Sequence, residues 1–126
     1  MTSREIASEI EKNCGIKHAR IIGAADTKSK KIGMCLGACG DMVFNIIRDT
    51  DCEVVIAGEI CEWREGCFTR DAAQLGFNKS IILLGHCASE RDGMKYLADI
   101  WNTMCPDIPG CYFETGELFT YTEDKQ

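Results

Sequence analysis

Two runs of this chain are apolar without a break and end on glycine: Val54-Val-Ile-Ala57 before Gly58-Glu59, and Ile81-Ile-Leu-Leu84 before Gly85-His86. A half-exposed strand would alternate apolar with polar residues, so these runs read as strands covered on both faces, as in parallel sheets. Between them Glu62 to Leu75 is helical in pattern and closes at Gly76. After the second run, Ser89 is the expected cap of a long helix. Its apolar face carries Met94, Leu97, Ala98, Trp101 and Met104, and it ends before Pro106. Strand, helix, strand, helix is the order of parallel βαβ units with right-handed crossovers.

The flanking segments fit the same plan. Thr2-Ser-Arg-Glu5 has the form of a capping box, and Ile6, Ile10 and Cys14 continue at helical spacing to a stop at Gly15. His18 to Ala25 reads as a strand, Asp26 to Lys31 as a polar turn and Lys31 to Leu36 as a second strand. Gly37-Ala-Cys-Gly40 then leads to Asp41, the expected N-cap of a helix through Val43, Phe44, Ile46 and Ile47. Cys111 to Glu114 and Leu118 to Tyr121 look like closing strands, and Glu123 to Gln126 like a frayed tail. The expected fold is a single α/β domain over residues 1–126, a layered structure with a mostly parallel sheet flanked by helices.

Composition narrows the function. The formal charge is −6, and the one dense basic cluster is Lys28, Lys30 and Lys31, which argues against phosphate-driven nucleic-acid binding. No apolar run approaches the roughly 20 residues of a membrane helix. Glu5 and Glu9 interrupt the stretch a signal peptide would need, so the expected location is the cytoplasm. Nine cysteines is a high count. It is odd, it has no Cys-x-x-Cys step, and it comes without an export signal, so a disulfide framework or a structural zinc site is a poor explanation. Reduced thiols filling core and near-core positions explain it best, with a reactive or metal-binding thiol as the alternative.

Ligands of open parallel sheets gather beyond the carboxyl ends of the strands. There stand Gly37-Ala-Cys-Gly40, Gly58-Glu59 and Gly85-His86-Cys-Ala-Ser-Glu90. His86 before a helix and Glu90 in its first turn put an imidazole and a carboxylate on one rim, a pair that suits a divalent transition metal. A helix-dipole carboxylate beside a hydrogen-bonded histidine has the same spacing, and spacing leaves both open. Glu59, at a strand end, is the third candidate; Glu62 and Glu65 suit a solvated helix face. The Gly37 to Gly40 turn resembles an anion-binding turn, or is simply a tight turn built of small residues. His18 is expected at the surface, away from these loops. No Ser/His/Asp triad can be placed, and Cys87 beside His86 is a weak nucleophile candidate.

Asp51-Cys-Glu-Val-Val-Ile-Ala-Gly-Glu59, the helix end Ala72-Ala-Gln-Leu-Gly76, and above all Gly85-His86-Cys-Ala-Ser-Glu90 resemble, in order, motifs of the Nif-three-like family. Its members are also called dinuclear-metal-centre hexameric or GTP cyclohydrolase 1 type 2-like proteins. The likeness runs over nearly the whole chain but covers only the rear half of a usual member. It implies a Nif-three-like half-domain in which His86 and Glu90 ligate a divalent metal such as zinc, manganese or iron. The family's other ligands, a His-His pair and an Asp, belong to the front half and have no match here, and Glu62-Trp63 stands where histidine is usual. Three readings follow. One is a metal-dependent hydrolase whose site is completed by Glu59, a cysteine or a second chain. Another is a binding or assembly module without chemistry, and the third a metal carrier or sensor. A homo-oligomer is expected, because a half-domain leaves uncovered the surface where the front half packs.

Overall fold

The two glycine-terminated apolar runs lie side by side at the centre of one sheet. The computed structural model describes residues 1–122, so Glu123 to Gln126, read above as a frayed tail, lie outside the described residues. In chain order the elements are α1 (Ser3–Cys14), β1 (Arg20–Gly23), β2 (Ile32–Cys35), α2 (Asp41–Asp49), β3 (Val54–Ala57), α3 (Cys67–Gln74), β4 (Ser80–Leu83) and α4 (His86–Met104). A single π-helical turn, Glu62–Gly66, leads into α3. The sheet order is β1-β4-β3-β2, with β2, β3 and β4 parallel and β1 antiparallel to β4. The fold is thus the α/β layered class with a mostly parallel sheet.

Alternation along the inner strands divides the core in two. Val54, Ile56, Ile82 and Leu84 meet Ile6 and Ala7 of α1 on one face. Val55, Ala57, Ile81 and Leu83 meet Val43 and Ile47 of α2 on the other, with Phe68 of α3 packed alongside. Burying one such side chain fully contributes about 1.5–3 kcal/mol, which is why these strands tolerate no polar alternation. The capping box of α1 forms as its residues require: Thr2 Oγ1 accepts from the Glu5 N–H (3.1 Å) and Glu5 Oε2 from the Thr2 N–H (2.8 Å). The helix closes at Gly15 in the left-handed conformation.

Several expectations fail for identifiable reasons. Gly40, not Asp41, is the residue before α2; Asp41 opens the helix and pairs with Arg64 at 2.6 Å. Glu65 is not on a solvated face but 1% exposed, because the π-helical turn carries it inward. There it accepts from the Cys61 N–H (3.1 Å) and Arg64 (2.9 Å). Cys111 to Glu114 and Leu118 to Tyr121 form no strands. The first of these stretches lies against α4, after two hydrogen bonds between Asn102 and the Gly110 backbone (2.8 and 2.9 Å), and Tyr121 of the second stacks on His18. The apolar face of α4 does not reach the sheet: only Ala88 of its 19 residues is buried. The thiols are less central than expected. Cys35 alone is buried, Cys14, Cys39, Cys52, Cys67 and Cys105 are half-buried, and Cys61, Cys87 and Cys111 are exposed. Among the described residues, no helix is long and apolar enough to cross a membrane.

Candidate functional site

Because β3 and β4 run parallel, the segments that leave them emerge on one edge. The ladder continues past the strands, with Leu84 N–H donating to Ala57 O (3.0 Å) and Gly85 N–H to Gly58 O (3.1 Å). The loop after β2 is tied to the same edge by Glu59 N–H donating to Gly37 O (3.1 Å). Gly85 lies at φ 91°, ψ 143°, a backbone conformation closed to side chains, and from it the chain turns directly into α4. His86 is therefore the first residue of the helix, and Glu90 lies one turn on.

These elements bring together the three residues singled out from the sequence. His86 Nδ1 stands 3.3 Å from Glu59 Oε2, and its Nε2 stands 3.2 Å from Glu90 Oε2. All three side chains are about half exposed. The carboxylates occupy opposite nitrogens of one ring rather than converging on a common point. A neutral imidazole has one N–H and one lone pair, so it donates to one carboxylate and faces the other lone pair to lone pair. If the ring proton sits on Nδ1, toward Glu59, the Nε2–Glu90 gap is complementary to a cation.

Two residues that sequence reasoning missed hold this arrangement. Ser89 is not the helix cap but a member of the first turn; its Oγ accepts from the Gly37 N–H (2.9 Å) and donates to His86 O (2.8 Å). The Gly37 amide is thereby used, which removes it from any anion-binding turn. Gly37 has φ 65°, and a side chain there would collide with the Glu90 carboxylate. Its signal was visible as the first glycine of Gly37-Ala-Cys-Gly40, but only the fold tells which side chain takes the vacated space. The arginines of the neighbouring elements do not serve Glu59 or Glu90: Arg64 pairs with Asp41 and Glu65, while Arg91 donates to Cys14 O.

His18 needs correction too. Since β1 is antiparallel, with Arg20 opposite Leu83, its amino end lies at the edge where β4 ends, not away from it. His18 there has φ 59° and stacks on Tyr121 with ring centroids 4.0 Å apart.

The donor set bears on a metal in two ways. Two ligand bonds of about 2.0–2.1 Å meeting at about 100° span roughly 3.2 Å, which is the His86–Glu90 separation, so this pair has the spacing of two ligands on one ion. The pair is also incomplete. Among the described residues no group of three or more His, Cys, Asp or Glu side chains is placed to hold a metal. Glu59, on the far nitrogen, occupies the position of a carboxylate that orients a ligating histidine.

The fold is an α/β layer with a mostly parallel sheet, and Glu59, His86 and Glu90 line its carboxyl edge. A family model described as Duf34/NIF3 (NGG1p interacting factor 3) matches residues 1–115, and the chain belongs to that family. Among solved structures it is similar to Staphylococcus aureus protein SA1388, at 18% identity and a TM-score of 0.70, covering 96% of this chain and 38% of that one. A second structure of SA1388, described as a hypothetical protein, gives 18% and 0.71, covering 96% and 39%. A Bacillus cereus protein related to NIF3 gives 17% and 0.66, covering 97% and 33%. The chain thus spans well under half the length of these relatives, and at such identities the likeness concerns the fold. No curated protein matches the chain.

Proposed function

We propose that this chain contributes half of a divalent-metal site for zinc, manganese or iron(II), with His86 Nε2 and Glu90 as ligands and Glu59 orienting the imidazole. The remaining ligands come from a second chain or from a further part of a longer protein. The observation that carries the reading is the 3.2 Å Nε2–Oε2 gap, backed by a carboxylate on Nδ1. The reaction class it serves is hydrolysis, for which a bound divalent ion supplies a water acidified to near neutral pH. The chain's own residues set the direction of the open coordination positions: Glu59 fixes the ring, and Gly37 and Ser89 fix the turn from which Glu90 projects.

Assembly into a homo-oligomer belongs to the same proposal. Ile32 and Met34 pair in register with Val54 and Ile56, yet are 46% and 64% exposed where those two are buried. That leaves an apolar strip of β2 uncovered on the α1 face. A second reading, an assembly module without chemistry, is favoured by the carboxylates lying on opposite ring nitrogens, where they share no common point for an ion.

Thermal unfolding with and without each metal separates the two. An ion at a hundredfold excess over Kd stabilises by about 2.7 kcal/mol, a rise of several degrees for a domain this size. His86→Ala and Glu90→Ala each remove the rise, and His18→Ala keeps it. No rise with any of the three metals, or a rise that survives both substitutions, leaves the assembly module as the better reading.

A further inference from the structure

Glu65 is the one carboxylate among the described residues that the fold buries, and the site as described does not use it. The π-helical turn Glu62–Gly66 carries it inward, and turns of this kind recur at functional sites. A carboxylate taken out of water must be paired, yet apolar groups in place of such a pair are often no worse for stability. A buried ion pair a few residues from Glu59 therefore calls for a geometric role.

The pairing joins two of the loops that form the site. Glu65 Oε2 accepts from the Cys61 N–H (3.1 Å), two residues beyond Glu59, and Oε1 accepts from Arg64 Nε (2.9 Å). Arg64 reaches on to α2. Its Nη2 stands 2.6 Å from Asp41 Oδ1, and its guanidinium carbon lies 5.5 Å from the Phe44 ring centroid. Asp41 opens α2 directly after the turn of residues 37–40. That turn leads back to the start, because Gly37 O accepts from the Glu59 N–H (3.1 Å). The contacts thus close a ring through Glu59, Gly37, Asp41, Arg64, Glu65 and Cys61, and the Glu59 backbone is held from both sides.

We propose that Glu65 is a positioning residue: through Arg64 and the Cys61 amide it fixes the loop from which Glu59 reaches His86 Nδ1, and so sets which ring nitrogen is left for a ligand. This rests on the reading of Glu59 and His86 given above, but the ring of contacts itself involves no metal. A reciprocal cap at the start of the π-helical turn would need only the Cys61 contact. The ring requires more: opening it at Asp41, on another element, has the same consequence as opening it at Glu65.

The test reads the side-chain ¹⁵N shifts of His86 in the metal-free full chain, at a pH where the imidazole is neutral. The unaltered chain carries its ring proton mainly on Nδ1. A side-chain amide has one acceptor oxygen, so Glu65→Gln serves either Cys61 or Arg64 but not both. Glu65→Gln and Asp41→Ala each shift the proton toward Nε2. Each also weakens zinc binding about tenfold, the low end for losing a group that orients a ligand. Ile47→Val, a truncation in the core, lowers the unfolding temperature and leaves the tautomer unmoved. Unfolding temperatures check that each variant is folded; should Glu65→Gln fail to fold, Asp41→Ala, at an exposed position, decides alone. An unmoved tautomer in either folded variant overturns the proposal, and so does an equal shift in Ile47→Val, which makes the effect a general loosening. A proton on Nε2 in the unaltered chain removes the orienting role of Glu59 and the proposal with it. No zinc binding in the unaltered chain, with the tautomer shifts intact, sinks the metal reading alone.

Discussion

The β3–β4 pair and the carboxyl-terminal half of α4 are both rich in apolar residues, yet they end in opposite environments. Val54, Val55, Ile81 and Ile82 are wholly buried, whereas Met94, Leu97 and Trp101 are 51%, 50% and 44% exposed. An unbroken apolar run in a strand leaves no face for water and so forces two covering layers. An apolar stripe on a helix states only that something covers it; the partner is unspecified, and here it is an open groove backed by a loop. Apolar content therefore locates the core only when the period excludes a solvated face.

The sharpest way to break this contrast is truncation. Ile81→Ala or Ile82→Ala should cost about 2–5 kcal/mol in urea unfolding, and Leu97→Ala less than about 1 kcal/mol. Comparable losses would mean that α4 belongs to the cooperative core. A smaller effect is expected at the strand-end turn. Gly37→Ala forces a Cβ into a left-handed conformation, for about 1–2 kcal/mol, and displaces Glu90. The metal-dependent rise should disappear while the fold persists; retention of the rise would detach Gly37 from the site.

The least effect comes from exposed charge around the β2 turn. The backbone N–H groups of Lys30 and then Lys31 hold the Glu53 carboxyl below its ordinary 4.5, and a hydrogen bond from Lys31 holds Asp51 below its usual range. Groups depressed on folding contribute stability above their unfolded values and lose it as pH falls through the folded ones. Stability should therefore fall gradually below about pH 4.5, and Glu53→Gln should make that acid limb shallower. An unchanged limb would show that the Glu53 contacts do not persist in solution.

What was legible follows the same division. The central strands, the capped first helix and the placing of Glu59, His86 and Glu90 on one sheet edge could be read from the chain because each depends on neighbours in sequence or on two parallel strands ending together; that the carboxylates take opposite ring nitrogens could not. The rest depended on contacts distant in sequence. Ser89 looks like a cap until Gly37, from another loop, claims its hydroxyl. Glu65 looks solvated until a wide turn carries it inward. His18 looks remote until β1 proves antiparallel. Cys111 to Glu114 and Leu118 to Tyr121 have strand-like residues, but Asn102 and Trp101 hold the chain at Ile108 and Gly110 against α4, and Tyr121 meets His18, so neither stretch joins the sheet edge.

The imidazole of His86 offers the most direct test of the central claim. In ¹⁵N-detected spectra of the histidine side chains, zinc titrated into the chain should move the His86 Nε2 resonance to a metal-bound position. Nδ1 should keep its proton toward Glu59, and His18 should remain unaffected. A His86 ring that does not respond to zinc, manganese or iron(II), or one that binds zinc through Nδ1, would contradict the assignment of Nε2 and Glu90 as the ligand pair.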